Sequence, residues 1–395
     1  ISIYTVDAWT GALRFHAYQE HDAPDAGAEQ VLVHDNGRFV FVANRGEQDQ
    51  ASTLTSYVAD EDDGSLALVG HVPIAEGPHH MSVRPDGLFH YATSYATHQV
   101  FAYAIDPATG ALSLVGTIGT NTGPVRLEFD ALGRFLFVAH GPSADITIFS
   151  IDDVDGTLSL DVGGFNYYRF VPSDVDVDPL GSYVYFTFEV TNNLVAYEVD
   201  PLTGALGRLL EASTTGSPSA VGVHPHGGYA YVASTETNTI DFFGLHPVTG
   251  QPALLETYAA GGAPCEIEMD ESGRYMYVLN ADSDDVSVFA IDQNTGELGA
   301  LQTIRSRAAA TSVSVLRGDR PALPESAQLY VLNRESDDLT AFAADPETGL
   351  LTRLGANVLA GAAPNEIATD PFGRFAFVTN ADDQSLRVYR IDAND

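Results

Sequence analysis

The chain is built on an internal repeat, most complete at residues 261–298, GGAPCEIEMDESGRYMYVLNADSDDVSVFAIDQNTGEL. Short runs of alternating apolar and polar residues are separated there by Gly, Pro, Asn and Asp, a pattern typical of antiparallel strands joined by tight turns. The turn before the second strand of each unit is marked by Gly37, Gly87, Gly133, Gly181, Gly227, Gly273 and Gly373, with a degenerate copy near Gly318. The turn before the fourth strand is marked by Gly11, Gly64, Gly110, Gly156, Gly204, Gly250, Gly296 and Gly349.

Most of these glycines are 46 or 48 residues apart. A repeat of this length with four strands per unit predicts a β-propeller, in which each blade must stack on its neighbours to bury its faces. Eight units can be counted, and no helical periodicity of useful length is present. The sequence therefore predicts an all-β fold, a single closed domain over residues 1–395 with eight four-stranded blades. The degenerate unit at 309–353 should form a complete blade, with residues 317–327 looping outward.

The chain begins with ISIYTVD (1–7) and ends with LRVYRID (386–392), two copies of the third strand of the repeat. A propeller usually closes by sharing one blade between its two termini, which hides the open sheet edges. The C-terminal end should supply the first three strands of that blade, and residues 11–18 should supply the fourth. One of the two copies of the third strand is then spare. The spare strand either adds to its own ring as an outer strand or frays, or it completes a sheet edge on a neighbouring molecule. In the second case the propeller would polymerise.

The composition limits the partners. The formal net charge is −36, and all 18 basic residues are Arg. Such a surface repels nucleic acids and anionic membranes. The acidic, lysine-free composition is explained either by a high-salt environment or by a genome that favours Arg codons. The single Cys265 rules out an internal disulfide or a Cys-based zinc site. The acidic loops lack EF-hand spacing, so we expect no metal and no cofactor. Ile1 is read as a processed or truncated N-terminus, so we expect an extracellular or cell-surface protein, with the cytoplasm of a halophile as the alternative.

The repeat resembles that of the lactonase-type β-propellers, which include a 6-phosphogluconolactonase and carboxymuconate cyclases. It also resembles the YVTN repeats of surface-layer proteins. The residues that carry the resemblance are FVTN (377–380), its variants YVLN (277–280 and 330–333) and FVAN (41–44), the turn PFGRF (371–375) and the link IDQNTGEL (291–298). The family typically has seven blades, whereas eight are counted here.

The inner strand of each blade lines the central channel of a propeller. Aligning the units on their turn glycine places one equivalent residue of each blade at the channel mouth. Around the ring these residues are Gln30, His80, Arg126, Asp174, Ala220, Glu266, Ser312 and Glu366. Five of the eight are ionisable, which favours a convergent acid–base site for an anionic or ester substrate. A channel mouth is also simply wet, and polar residues there need no function.

The stretch GPHHM (77–81) resembles a histidine-bearing inner-strand motif of bacterial lactonases. The resemblance implies that His80 acts as base or acid, that Arg126 holds a substrate carboxylate or phosphate, and that Glu266 or Glu366 moves the second proton. Gln30, Asp174 and Ser312 would then contact the substrate. His79, on the other side of the strand from His80, is expected to pack between blades.

Two functions follow. The first is a metal-independent lactonase-like enzyme, which hydrolyses or forms a lactone of a small anionic sugar acid or of a muconate-type substrate at one channel mouth. The second is a non-enzymatic extracellular propeller that binds or self-assembles, with filaments formed by donation of the terminal strand.

Overall fold

The chain folds into a ring of β-sheets, each of which is one blade. A computed structural model describes residues 2–7, 13–18, 28–45, 52–60, 65–130, 132–143, 145–165, 172–270, 272–306, 310–316, 328–345 and 347–392. Eight blades are present, as the repeat count predicted. The predicted outward loop at 317–327 lies outside the described residues. Among those that are described, no helix is long and apolar enough to cross a membrane.

Blades 1 to 7 are antiparallel sheets whose strands run in order from the channel outward. Blade 1 contains β3 (Ala28–Val33), β4 (Phe39–Asn44), β5 (Thr53–Ala59) and β6 (Leu66–Pro73), and blade 2 contains β7 (Pro78–Val83), β8 (Phe89–Ser94), β9 (Gln99–Ile105) and β10 (Leu112–Gly119). Blade 3 contains β11 (Pro124–Phe129), β12 (Phe135–His140), β13 (Ile146–Ile151) and β14 (Leu158–Phe165). Blade 4 contains β15 (Pro172–Val177), β16 (Tyr183–Phe188), β17 (Asn193–Val199) and β18 (Leu206–Ser213). Blade 5 contains β19 (Pro218–Val223), β20 (Tyr229–Ser234), β21 (Thr239–Leu245) and β22 (Pro252–Ala259). Blade 6 contains β23 (Pro264–Met269), β24 (Tyr275–Asn280), β25 (Asp285–Ile291) and β26 (Leu298–Arg305). Blade 7 contains β27 (Ala310–Leu316), β28 (Gln328–Asn333), β29 (Asp338–Ala344), β30 (Leu351–Arg353) and β31 (Val358–Leu359).

The degenerate unit forms a complete blade 7, as predicted. Its outer edge is split, because β30 and the short β31 both pair with β29.

Blade 8 closes the ring with strands from both termini. In order from the channel it contains β32 (Pro364–Thr369), β33 (Phe375–Asn380), β34 (Ser385–Asp392), β1 (Ser2–Asp7) and β2 (Leu13–Tyr18). The spare strand therefore extends its own ring, the first of the two expected outcomes. The expectation that residues 11–18 take the fourth place was wrong, because β1 lies between β34 and β2. It pairs with β34 in parallel and in register, so that repeat-equivalent residues lie side by side, such as Tyr4 with Tyr389.

Burial follows the position of a strand within its blade. The second strand, such as β24 with the sequence YMYVLN, is buried along its whole length, because neighbouring blades cover both of its faces. The outermost strand, such as β26, is mostly exposed. Eight apolar clusters of the described residues each join two adjacent blades, and together they cover every junction of the ring. The core is thus a ring of interfaces between blades, which is why no single blade is a folding unit.

The inner strands all begin on one side of the ring, which we call the mouth face, and their turns into the second strands lie on the opposite side, the turn face. The link between the third and fourth strands also lies on the turn face. In blade 3 this link is capped by Asp152, whose carboxylate accepts the N–H groups of Val154 at 2.8 Å and Asp155 at 3.1 Å. Gly156 follows with a φ of +71° and packs on the ring of Phe89 in blade 2. In blades 2 to 7, where the glycine of this link is described, the link packs in the same way on the preceding blade.

Candidate functional site

The channel opens on the mouth face into a cavity of about 580 Å³. All eight ring positions chosen from the sequence line it: Gln30, His80, Arg126, Asp174, Ala220, Glu266, Ser312 and Glu366. The strands bring them together because every inner strand starts with the same register and a β-bulge after its first residue. In β23, for example, Pro264 pairs with Asn280 and Glu266 with Leu279. The predicted convergence of these positions in space is therefore seen, while their chemical roles stay a prediction.

Side chains of the ring bridge neighbouring blades by accepting backbone N–H groups. Glu366 of blade 8 accepts the N–H of Val31 at 3.2 Å and the Gln30 side-chain amide at 3.3 Å. The Gln30 side-chain oxygen in turn accepts the N–H of Met81 in blade 2 at 2.7 Å. Three consecutive blades are thereby joined at the channel wall, and Glu366 is held in one orientation.

Asp174 and Arg126 form the opposite part of this ring. Asp174 accepts the N–H of Val221 in blade 5 at 3.0 Å. Its other oxygen lies 3.9 Å from the Arg126 Nε, a loose ion pair in which half of the Arg126 side chain is exposed. The positive charge of this guanidinium acts on Asp174, Glu366 and His80 alike. The charge of Arg126 thus influences three other groups of the site, and the exposed half of its side chain can contact a ligand.

Desolvation changes the protonation of the ring. It raises the pKa of Glu366 to about 7, although the hydrogen bonds from Gln30 and Val31 work in the opposite direction. Desolvation, followed by the charges of Arg126 and His79, lowers the pKa of His80 to about 3. The Nδ1 atom of His80 is buried and has no hydrogen-bond partner in the described part of the chain. At neutral pH the site therefore contains a neutral imidazole and a carboxyl group whose pKa lies near 7, a pattern typical of functional sites.

Further residues line the cavity that the sequence analysis did not select, namely Arg45, Cys265, Glu268 and Asn365. Arg45 follows the FVAN motif directly, so the residue after that motif is a signal that could have identified it. His79, expected to pack between blades, is exposed and lines the cavity, with its ring stacked on Tyr95 at 5.7 Å between centroids. It also interacts with the backbone of Val125 in blade 3, so it reaches the neighbouring blade as well.

The charges in the cavity are divided between its two sides. The cations, Arg45 and Arg126, belong to blades 1 and 3, whereas carboxylates come from blades 4, 6 and 8. A second layer of acidic side chains lies two residues further along the inner strands. Desolvation raises the pKa of Glu128 to about 7 and that of Asp176 to about 8. Among the described residues, no three His, Cys, Asp or Glu side chains are arranged to hold a metal ion.

Comparison with known proteins assigns the family. The family model "Lactonase, 7-bladed beta-propeller" matches residues 1–129, 119–222, 211–315 and 322–395. The chain belongs to this lactonase family. It departs from the family description in having eight blades, so distances across its channel cannot be taken over from a seven-bladed ring. No curated protein matches this member of the family.

Solved structures support the fold. A Bacteroides uniformis protein assigned as a 6-phosphogluconolactonase is 17% identical with a TM-score of 0.64, over 87% of this chain and 98% of that one. The periplasmic gluconolactonase of Pseudomonas aeruginosa is 18% identical with a TM-score of 0.64, over 83% and 97%. Sqt1 of Chaetomium thermophilum is 13% identical with a TM-score of 0.73, over 93% and 97%. At these identities the similarity shows the propeller fold alone.

Proposed function

We propose that this lactonase-family propeller hydrolyses or forms a lactone of a small anionic sugar acid or of a muconate-type substrate at its channel mouth. The observation that carries the proposal is the meeting of eight ring positions in one cavity, where an accessible guanidinium lies among groups with shifted pKa values. Solvation alone does not require this mixture in a chain with a net charge of −36.

Arg126 is the anchor for the substrate anion. A guanidinium binds a carboxylate or phosphate through two parallel hydrogen bonds, which fix both position and orientation. Half of its side chain is exposed, and its contact with Asp174 at 3.9 Å is too long to occupy it fully. A bound anion would therefore find the guanidinium available, with Gln30, Asp174 and Ser312 on the surrounding wall.

The proton transfers are assigned to His80 and to Glu366, with Glu266 as the alternative to Glu366. Acid–base groups work best with a pKa near the operating pH, and Glu366 meets that condition. His80 is neutral at that pH and can accept a proton from the water that attacks the lactone carbonyl. An anion bound to Arg126 would neutralise one of the charges that lower the pKa of His80, which would make the imidazole a better base in the complex. The carboxyl group then donates its proton to the departing ring oxygen.

The test is lactone turnover by purified variants. His80→Ala, Arg126→Ala and Glu366→Gln should each lower kcat/KM by about 10²–10⁴-fold, the usual effect of losing a positioned acid or base. Glu366→Gln should also flatten the pH dependence of turnover near pH 7, which a purely structural defect would not do. A suitable panel contains glucono-δ-lactone, its 6-phosphate and a muconolactone.

Arg38→Ala is the matched control, because it also removes one Arg but from an exposed turn outside the cavity. Its turnover should equal that of the wild type. The assignment is withdrawn if the wild type hydrolyses none of these lactones, or if turnover survives in the His80 and Arg126 variants.

Self-assembly is the second candidate function, and it would use the strand pairing seen in blade 8, exchanged between molecules. β1 joins β34 through backbone hydrogen bonds, residue for residue with its repeat counterpart. The same backbone edge of β34 on another molecule would accept β1 equally well. Exchange between two molecules gives a closed dimer, and donation along a series gives a filament.

Deleting residues 1–18 tests this second function. Full-length protein at high concentration should form dimers or filaments, visible by sedimentation and by electron microscopy in salt. The deleted form should assemble less, because it lacks the donated hairpin. Strand donation is excluded if the full-length protein stays monomeric, or if both forms assemble to the same extent.

A further inference from the structure

A corner on the mouth face of the propeller joins three side chains outside the channel cavity. Thr120 follows β10 in blade 2, whereas His140 ends β12 and Asp145 precedes β13 in blade 3. The Thr120 Oγ1 atom lies 2.7 Å from the His140 Nε2, and the His140 Nδ1 lies 3.1 Å from the Asp145 Oδ1. We call these three residues the blade 3 corner. A hydroxyl, an imidazole and a carboxylate in this order are the arrangement that activates a nucleophile.

The hydrogen bonds fix the tautomer of the neutral imidazole. The Nδ1 atom of His140 faces two acceptors of Asp145, the carboxylate at 3.1 Å and the backbone carbonyl at 3.2 Å. Nδ1 must therefore carry the hydrogen, and Nε2 is left as the acceptor. In this neutral tautomer, the Thr120 hydroxyl donates to Nε2. The Asp145 carboxylate is held by the Asn121 amide at 2.7 Å and the Ser143 hydroxyl at 3.0 Å.

Both His140 and Asp145 are buried, with the His140 side chain 0% and the Asp145 side chain 3% exposed. Thr120 is only half-buried. The base and its orienting carboxylate are thus shielded from water, and Thr120 is the least buried residue of the corner.

The same corner in blade 7 shows what a purely structural version contains. There Asn333 replaces the histidine, and its amide donates to Asp338 at 2.8 Å and to the Thr340 hydroxyl at 2.9 Å. In blade 3 the residue equivalent to Thr340 is Thr147, and its buried hydroxyl has no partner among the described residues. The histidine therefore leaves a buried hydroxyl unsatisfied that an asparagine would satisfy. In exchange, the imidazole bonds the Thr120 hydroxyl of blade 2 and the Asp145 carboxylate, and it brings a base next to that hydroxyl.

We propose that the blade 3 corner is a second reactive site, at which Thr120 is acylated by activated esters. In the step, the Thr120 Oγ forms a bond to the acyl carbon while its proton passes to the His140 Nε2. The bond between the acyl carbon and the leaving alcohol oxygen breaks, and that oxygen takes the proton from His140. Atoms and charges balance without a metal or a redox partner. The product is an acyl ester on Thr120.

The probe is p-nitrophenyl acetate, followed by release of p-nitrophenolate and by peptide mass spectrometry. The wild type should release a burst of one equivalent and carry one acetyl group at Thr120. Thr120→Val keeps the shape of the side chain and should abolish the burst, and Thr120→Ser should retain it. Thr120→Val should leave lactone turnover unchanged. Acetylation of Thr120 and lactone turnover are therefore separate readouts, and the failure of one proposal can be told from the failure of the other.

His140→Asn is the decisive variant, because it gives blade 3 the side chain that blade 7 already uses. The asparagine can donate to Asp145 and Thr147, so the unfolding midpoint should equal or exceed that of the wild type. Acetylation of Thr120 should slow by at least about 10²-fold, since the base is lost. The proposal is overturned if wild-type Thr120 is not acetylated, if Thr120→Val gives the same burst, or if His140→Asn is acetylated as fast as the wild type.

Discussion

The mouth face and the turn face of the propeller differ in how far they keep the repeat. On the turn face, the link into the fourth strand is nearly the same wherever it is described. In blade 3, for example, Asp152 caps the turn and Gly156, which has a positive φ, ends it. Where blade 5 has His246 instead, the imidazole Nδ1 accepts the same two N–H groups, from Val248 and Thr249, each at 3.2 Å. On the mouth face, the equivalent ring positions hold seven different residue types across the eight blades.

The difference has a physical origin. The described turn-face links, those of blades 2 to 7, pack each blade on the one before it. These blades therefore need the same backbone geometry, and any substitute must make the same bonds. The mouth-face positions point into a cavity that the eight blades share, and one copy of each chemical group is enough there. Departures from the repeat on the mouth face are therefore the places to look for function, as His80 in the channel and His140 at the blade 3 corner illustrate.

The largest stability effect is expected for Gly156→Ala on the turn face. A Cβ at this position would lie 2.2 Å from the Phe89 ring, in a backbone with a φ of +71°. Left-handed strain and overpacking together should lower the free energy of unfolding by about 3 kcal/mol. Urea denaturation followed by circular dichroism measures this loss of unfolding free energy.

Gly228→Ala is the control for that experiment. Gly228 has a φ of +81°, but open space surrounds the position of its Cβ. Only the conformational part of the penalty, about 1 kcal/mol, should remain. Equal losses in the two variants would show that packing between blades contributes nothing at the link.

A smaller effect, with a defined sign, is expected for Glu128→Gln below the channel mouth. Desolvation raises the pKa of Glu128 to about 7 from 4.5, so between these values the folded state holds a proton that the unfolded state has lost. Stability must then fall as the pH rises through this window. Gln keeps the oxygen that accepts the Phe129 N–H and cannot ionise. Between pH 5 and pH 8 the variant should lose about 2 kcal/mol less stability than the wild type.

Glu347→Gln removes the same charge from an exposed turn and provides the comparison. The Glu347 side chain is exposed in the folded protein, so this variant shows the effect of losing one carboxylate without removing a buried group. If the stabilities of Glu128→Gln and Glu347→Gln show the same pH dependence, the Glu128 carboxyl is not desolvated in the folded protein. The raised pKa assigned to it is then wrong.

The sequence was sufficient to predict the ring positions because a propeller converts sequence register into spatial position. Residues a fixed distance before the turn glycine must lie at the same height in the channel, so Gln30 and Glu366 could be placed in one wall although 336 residues separate them. Arg45 was missed, since it reaches the cavity from the loop after a second strand. The blade 3 corner was missed too, because its side chains come from two segments in different blades, the connection after β10 and the connection from β12 to β13.

The sequence by itself determined the strands, the turns, the number of blades and the residues that face the channel, because all of these depend on alternation and on a repeat read along one chain. Only the tertiary structure decided the order of strands in blade 8, since the alternation of residues does not say which strand a sheet edge binds, and the structure places β1 between β34 and β2. Only the tertiary structure decided the protonation of Glu366 and His80 as well. A pKa depends on the water that neighbouring blades exclude and on the distance to charges such as Arg126, and neither can be read from the order of the residues.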